Sequence, residues 1–349
     1  KFGLFLHWGP YSQISDLIPG FESGDYASWP LAWDARGWSN PNITTEAQMI
    51  KFRKFYFDLN KTFNPDRFDP KLWAEYAWNA GMRYMVMTTK HHDGFSMFNT
   101  RLDTYSVVGR DCPFKRDAFG EVAQAFRERN FAVGAYFSKP DWHREDFWEP
   151  RTFARTRYSN YVPKNSIGRW ESFVRFTQGQ IKEIMTLYKP DILWFDGGWL
   201  RPPMYDFDFA QIAESSRRIK DNVIIVNRAG GVYEDYLTPE QGGVPRAPFV
   251  KPWEVCVTMA TQWGYKKDDT YKSMPQLIEL LLSVVSTGGN LLLDVGPDPH
   301  GQLPRDAIDR LKHFASWMKY NGEGIHDSEP VYPYKFLSTM NEQVAYSFY

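Results

Sequence analysis

Short apolar runs alternate along this chain with longer segments of helical period. Phe2–Trp8, Arg83–Thr89, Phe131–Ser138, Asp191–Asp196, Asn222–Asn227, Asp235–Thr238, Glu254–Met259 and Asn290–Val295 predict strands. Thr45–Phe57, Pro70–Ala80, Phe119–Asn130, Trp170–Tyr188, Phe209–Lys220, Ser273–Ser286 and Arg305–Tyr320 predict helices. Strands interleaved with helices in this way form a mostly parallel sheet. The strand candidates suffice for a closed (β/α)8-like barrel, with Asp235–Thr238 the shortest and weakest. A doubly wound open sheet fits less well, because no G-x-G-x-x-G follows an early strand. After about Ser328 the pattern changes. Val331–Tyr334 and Gln343–Tyr349 read as extended, with no helix between them. The expected division is therefore an α/β barrel domain over 1–327 and, over 328–349, the start of a C-terminal antiparallel β module cut off at Tyr349.

Polar residues gather where the apolar runs end. The run Ile192–Phe195 closes on Asp196, followed at once by Gly197 and Gly198. A carboxylate taken out of water costs several kcal/mol unless it is paired or solvated. In a barrel, the C-terminal end of a strand is the mouth, where ligand-binding side chains collect. The other runs behave alike: they lead into His7-Trp8-Gly9, Lys90-His91-His92-Asp93-Gly94-Phe95, Asp141-Trp142-His143, Asn227-Arg228 and Thr238-Pro239-Glu240, with Tyr136 inside the third. Most of the chain's seven histidines fall in such places. The aromatic stretch Ser12–Asn42 lies in the first strand-to-helix connection, where a barrel builds ligand-contacting loop.

Composition narrows the chemistry. Net charge is −1 and no basic run occurs, so neither nucleic acid nor an anionic membrane is expected as a partner. No apolar run is long enough to span a membrane. No signal peptide precedes Lys1, which opens directly into a strand and so predicts a trimmed or processed form. Aromatics make up 17% of the chain and lean toward a carbohydrate ligand, whose C–H faces stack on such rings. Cys112 and Cys256, the only cysteines, exclude a disulfide scaffold or a cysteine zinc site. His91-His92 with Asp93 and His7 could offer metal ligands, but neighbours on a strand point to opposite faces, and no H-x-H or H-E-x-x-H is present. No metal and no cofactor is expected. A serine nucleophile is disfavoured by the absence of G-x-S-x-G. Carboxylates beside neutral hydrogen-bonding groups remain, the requirement of glycoside hydrolysis. Asp196 is the first acid. Glu240 and Glu254 compete for the second, and Glu254, at the start of its strand, belongs to the end of a barrel away from the mouth.

Five segments resemble glycoside hydrolase family 29, the retaining α-L-fucosidases: Lys1–Gly9, Met87–Phe95, Ile192–Gly198, Tyr236–Glu240 and Asn290–Pro297. The resemblance implies a (β/α)8-like catalytic domain followed by a C-terminal β-sandwich, here mostly missing. It implies exo-acting release of α-linked L-fucose from fucosylated glycans by double displacement, with Asp196 as nucleophile and Glu240 as acid/base. His7, His91, His92, Tyr136, Trp194 and Arg228 match positions that hold the sugar or the carboxylate. It also implies a secreted, periplasmic or lysosomal setting. Retention requires carboxyl groups about 5–5.5 Å apart. At that separation and an effective dielectric of about 20, two negative charges repel by roughly 3 kcal/mol, so one acid keeps its proton while the other is ionised. The family often carries a Glu-Trp pair in the first connection. Trp29 matches its Trp, but Ser28 stands in place of the Glu, which leaves a related sugar such as L-galactose open. A non-catalytic carbohydrate-binding protein is the reading from another class. Trp8, Trp29, Trp142 and Trp199 are candidates for the sugar-facing rim.

Overall fold

The computed structural model describes residues 1–18, 26–32, 43–148, 166–242, 251–326, 328–337 and 344–348. Its centre is a parallel seven-stranded sheet in the order β5-β4-β3-β2-β1-β7-β6. The strands are β1 (Phe2–Leu6), β2 (Tyr84–Lys90), β3 (Ala132–Ser138), β4 (Ile192–Asp196), β5 (Ile224–Ile225), β6 (Glu254–Thr258) and β7 (Asn290–Val295). Their interiors are almost wholly buried, as expected of parallel strands covered on both faces. Register sets the site: Tyr136 pairs with Trp194 and Ser138 with Asp196 across β3 and β4, while Phe5 pairs with Asp294 across β1 and β7.

Two strand expectations need correction. Asn222–Asn227 contracts to Ile224–Ile225, and Asp235–Thr238 is no strand of its own. It still lies between the sheet's two edges, joined to them by isolated bridges: Val226 to Tyr236, Leu237 to Trp253 and Glu240 to Cys256. Asp235 N–H donates to the Ile225 carbonyl at 2.8 Å, and Leu237 N–H to that of Pro252 at 2.9 Å. A regular ladder fails here for local reasons. Pro239 has no N–H to give, and Thr238 spends its N–H on the Asn227 side chain at 3.0 Å. The sheet therefore curls until, among the described residues, one irregular segment links its edges.

The helices follow the apolar periodicity. They are a one-turn α1 (Ile14–Leu17), α2 (Glu46–Asp58), α3 (Pro70–Asn79), α4 (Ala118–Arg127), α5 (Ile167–Tyr188), α6 (Phe209–Ile219), α7 (Met274–Ser286) and α8 (Arg305–Asn321). Their starts carry side-chain caps: Thr45 and Ser273 form reciprocal boxes with Gln48 and Gln276, and Asp69 caps a helix whose first residue is Pro70. No helix among the described residues is long and apolar enough to cross a membrane. After α8 the chain changes character, and β8 (Pro330–Leu337) pairs antiparallel with β9 (Val344–Phe348).

Candidate active site

At the C-terminal ends of the strands a cavity of about 270 Å³ opens. Its lining brings together His7, His91, His92, Tyr136, Trp194, Asp196, Arg228, Glu240 and Trp29. They arrive on separate pieces of chain: His7 just after β1, His91 and His92 just after β2, Tyr136 within β3, Trp194 and Asp196 within β4, Arg228 after β5, and Glu240 in the bridging segment.

Asp196 is the electrostatic centre. Its Oδ1 accepts from Arg228 Nη1 at 3.0 Å and from the Gly197 N–H at 2.7 Å, and its Oδ2 accepts from the Tyr136 hydroxyl at 2.8 Å. Burial works against ionisation, but Arg228, then His92, the Gly197 N–H and the Tyr136 hydroxyl outweigh it. They hold Asp196 well below the usual carboxylate range. Gly197 sits at φ 85°, where a Cβ would also strike Pro140, so this turn requires glycine. The same guanidinium donates through Nη2 to Glu240 Oε2 at 2.9 Å. One guanidinium therefore joins the two carboxyl groups. Trp194 packs beneath, its ring 4.7 Å from the Arg228 guanidinium carbon and stacked 5.4 Å from Tyr136.

The histidines are oriented from behind. The Ser138 hydroxyl spends its hydrogen on the Pro140 carbonyl at 2.7 Å, so its 2.6 Å bond with His92 Nδ1 is donated by the imidazole. His92 Nε2 then faces Asp196 Oδ2 at 3.7 Å. His91 Nδ1 meets Ser28 Oγ at 2.5 Å, and burial, followed by the neighbouring His92 and His7, keeps His91 well below its ordinary pKa. His7 Nδ1 meets Asp294 Oδ1 at 2.6 Å.

Several expectations change. His91 and His92 do not point apart: β2 ends at Lys90 after a register irregularity, and both rings face the cavity 4.3 Å from each other. Strand alternation does not extend past the strand. Donor atoms of His91, His92 and Asp196 consequently lie within 4.8 Å of one another, a grouping that could hold a cation. Asp196 already has Arg228 as its counter-charge, and both of its oxygens accept hydrogen bonds, so the set does not fit a metal well. Trp8 is core, packed on Phe68 and Trp73 with its N–H on the Asp298 carbonyl. Trp142 stands behind Trp29 rather than on the rim, whereas Trp199 and Trp29 line the cavity. Glu254, the rival acid, lies at the opposite end of the sheet. It accepts the Trp194 indole N–H at 2.8 Å, and burial pushes it up to about 7. Sequence reasoning assigned no role to Asp294, Cys256 or the loop Thr261-Gln262-Trp263. Asp294 carried the signal already used for Asp196, a carboxylate at the end of an apolar run.

The sequence profile of a family described as Alpha-L-fucosidase matches residues 1–323. Over 344 residues the chain is 30% identical to the tissue alpha-L-fucosidase of Mus musculus, covering 95% of this chain and 70% of that protein. Across curated relatives from Dictyostelium discoideum, Caenorhabditis elegans and mouse it spans 66% to 70% of their length. Among solved structures, alpha-L-fucosidase isoenzyme 1 from Paenibacillus thiaminolyticus superposes with a TM-score of 0.76 at 30% identity, over 95% of this chain and 76% of that one. A Bacteroides thetaiotaomicron alpha-L-fucosidase described as a trapped covalent intermediate with 2-fluoro-fucosyl fluoride gives 0.78 at 26%, over 94% and 75%.

Proposed function

Because the chain belongs to the alpha-L-fucosidase family, we propose that it is an exo-acting retaining glycoside hydrolase releasing α-linked L-fucose from fucosylated glycans. The observation that carries the reading is Asp196: buried, held ionised, and sharing Arg228 with a second carboxyl group at a cavity sized for one sugar ring. In the first step an Asp196 oxygen attacks the anomeric carbon as the glycosidic C–O bond breaks, and Glu240 gives its proton to the leaving oxygen. In the second, water attacks the glycosyl ester, its proton passes to Glu240, and Asp196 leaves as carboxylate. Glu240 is favoured over Glu254 because it borders the same cavity as Asp196. His7, His91, His92, Tyr136 and Trp29 are assigned to the sugar, Trp194 to the floor beneath it and Arg228 to the carboxylates. We read the bridging segment 235–240 as the eighth stave of a (β/α)8-like barrel over 1–327, and β8–β9 as the start of a C-terminal sandwich. The alternative, the same mechanism on a sugar such as L-galactose, has no observation in its favour beyond Ser28.

Aryl α-L-fucoside turnover by the wild type and by Asp196→Asn tests the reading, with aryl α-L-galactoside as comparison. The variant should be inactive, and added azide should restore activity to Asp196→Gly with formation of β-fucosyl azide. Glu240→Ala should lose about 10²–10⁴-fold on a poor leaving group and far less on an activated aryl one. An active Asp196→Asn, or equal Glu240→Ala losses on both substrates, would overturn the assignment.

A further inference from the structure

We propose that Asp294 is a positioning residue that fixes the hydrogen-bonding polarity of the sugar pocket: it holds His7 in the tautomer whose Nε2 lone pair faces the cavity, so that His7 accepts a hydrogen bond from one hydroxyl of the bound sugar. The inference rests on the fucosidase reading and names what one wall of that site recognises.

The geometry begins with sheet register. Phe5 and Asp294 are lateral partners on β1 and β7, and laterally paired residues point to the same face. Phe5 lines the cavity, so Asp294 also points inward, one level below His7, which follows β1 on the same face. The two side chains meet at 2.6 Å between Oδ1 and Nδ1, and both are almost completely buried. His7 Nε2 makes no hydrogen bond among the described residues and borders the cavity. The rings of Phe5, Tyr136, Trp263 and His91 surround the imidazole at 4.4, 5.6, 5.1 and 5.4 Å, and Asp294 is the carboxylate in hydrogen-bond contact with it.

The choice of a carboxylate needs a reason. An Asp in this dry position leaves its Oδ2 without a hydrogen-bond partner among the described residues, and a buried polar atom does not go unpaired without cost. Asn or Ser would hold the ring at a lower desolvation cost. Either could both donate and accept, and so would leave the tautomer open. An ionised carboxylate only accepts. It holds a ring hydrogen on Nδ1, so that in the neutral imidazole Nε2 carries the lone pair. Ser138, with its own hydrogen committed to Pro140, likewise accepts the Nδ1 hydrogen of His92, whose Nε2 faces Asp196.

The test uses the whole chain. Asp294→Asn can donate to Nδ1 and turn Nε2 into a donor, as the matching change does in the serine-protease triad. With aryl α-L-fucoside, KM should rise about tenfold or more with a smaller change in kcat. A series of monodeoxy aryl α-L-fucosides separates positioning from general damage. For the analogue lacking the hydroxyl that His7 reads, the penalty should vanish; for the others it should persist. Should the variant not fold, ¹⁵N-histidine NMR of the wild type, with His7 assigned by its loss in His7→Gln, reads the tautomer directly. A pyridine-type Nε2 is expected. A pyrrole-type Nε2, or an equal penalty on every analogue, overturns the proposal. A wild type inactive on all these fucosides would instead sink the fucosidase reading and leave the tautomer measurement standing.

Discussion

Arg228 meets two carboxyl groups of different standing, and the difference matters for chemistry. The Asp196 side chain is 15% exposed and that of Glu240 43%. The inner pair offsets the desolvation of a buried carboxylate. The outer one is an exposed ion pair of the kind worth little, about 0–1 kcal/mol, so Glu240 can leave it to reach a leaving group. Ser28 raises a similar question at one residue. It is fully buried, and its hydroxyl is His91's hydrogen-bond partner at 2.5 Å. Ser28→Ala strands the imidazole Nδ1 in a dry place, at a cost of about 1–3 kcal/mol. Steady-state kinetics should show KM for aryl α-L-fucoside rising about tenfold with kcat changed less. An unaltered KM would mean that His91 does not depend on Ser28.

Strand ends explain what could be read in advance and what could not. Helix limits were legible to within a few residues because capping residues and apolar period agree locally, as at Thr45, Asp69 and Ser273. Asp196, Arg228 and Glu240 were legible because each is a charge at the end of an apolar run. The convergence of His91 and His92 was not, since it depends on the register irregularity at the end of β2, after which strand alternation no longer applies. Nor was the sharing of Arg228, which joins segments that only the curled sheet brings together. Glu254, at the first position of β6, belongs to the opposite end and has a testable cost. Burial lifts it from 4.5 to about 7. A carboxyl whose folded pKa is raised binds its proton more tightly folded than unfolded. Its contribution is therefore full below about pH 4.5 and is lost as pH rises toward 7. Glu254→Gln keeps an acceptor for the Trp194 indole. Its melting temperature should match wild type near pH 4.5 and exceed it at pH 8, by the equivalent of roughly 3 kcal/mol. A gap of the same size at both pH values would show that the effect is packing rather than ionisation.

Across the whole molecule, the sheet is least regular where its chemistry is most exposed. Strands β1 to β4 and β7 carry parallel ladders several residues long, whereas β5 has two residues and, among the described residues, the edges meet through isolated bridges at Tyr236, Leu237 and Glu240. Fewer cooperative hydrogen bonds mean a lower free energy of local opening, and segments that carry a moving proton donor are commonly drawn from that end of the scale. Hydrogen exchange followed by mass spectrometry separates the two regions. Amides of residues 235–241, including Leu237 on the Pro252 carbonyl and Gln241 on that of Cys256, should exchange well before those of 84–90 in β2. Filling the cavity with a cationic, fucose-shaped inhibitor should slow exchange selectively at 235–241, because Glu240 and Gln241 border the ligand. If residues 235–241 of the free protein were protected as strongly as β2, the segment would be a regular stave after all. The mobility assigned to Glu240 would then have to come from its side chain alone.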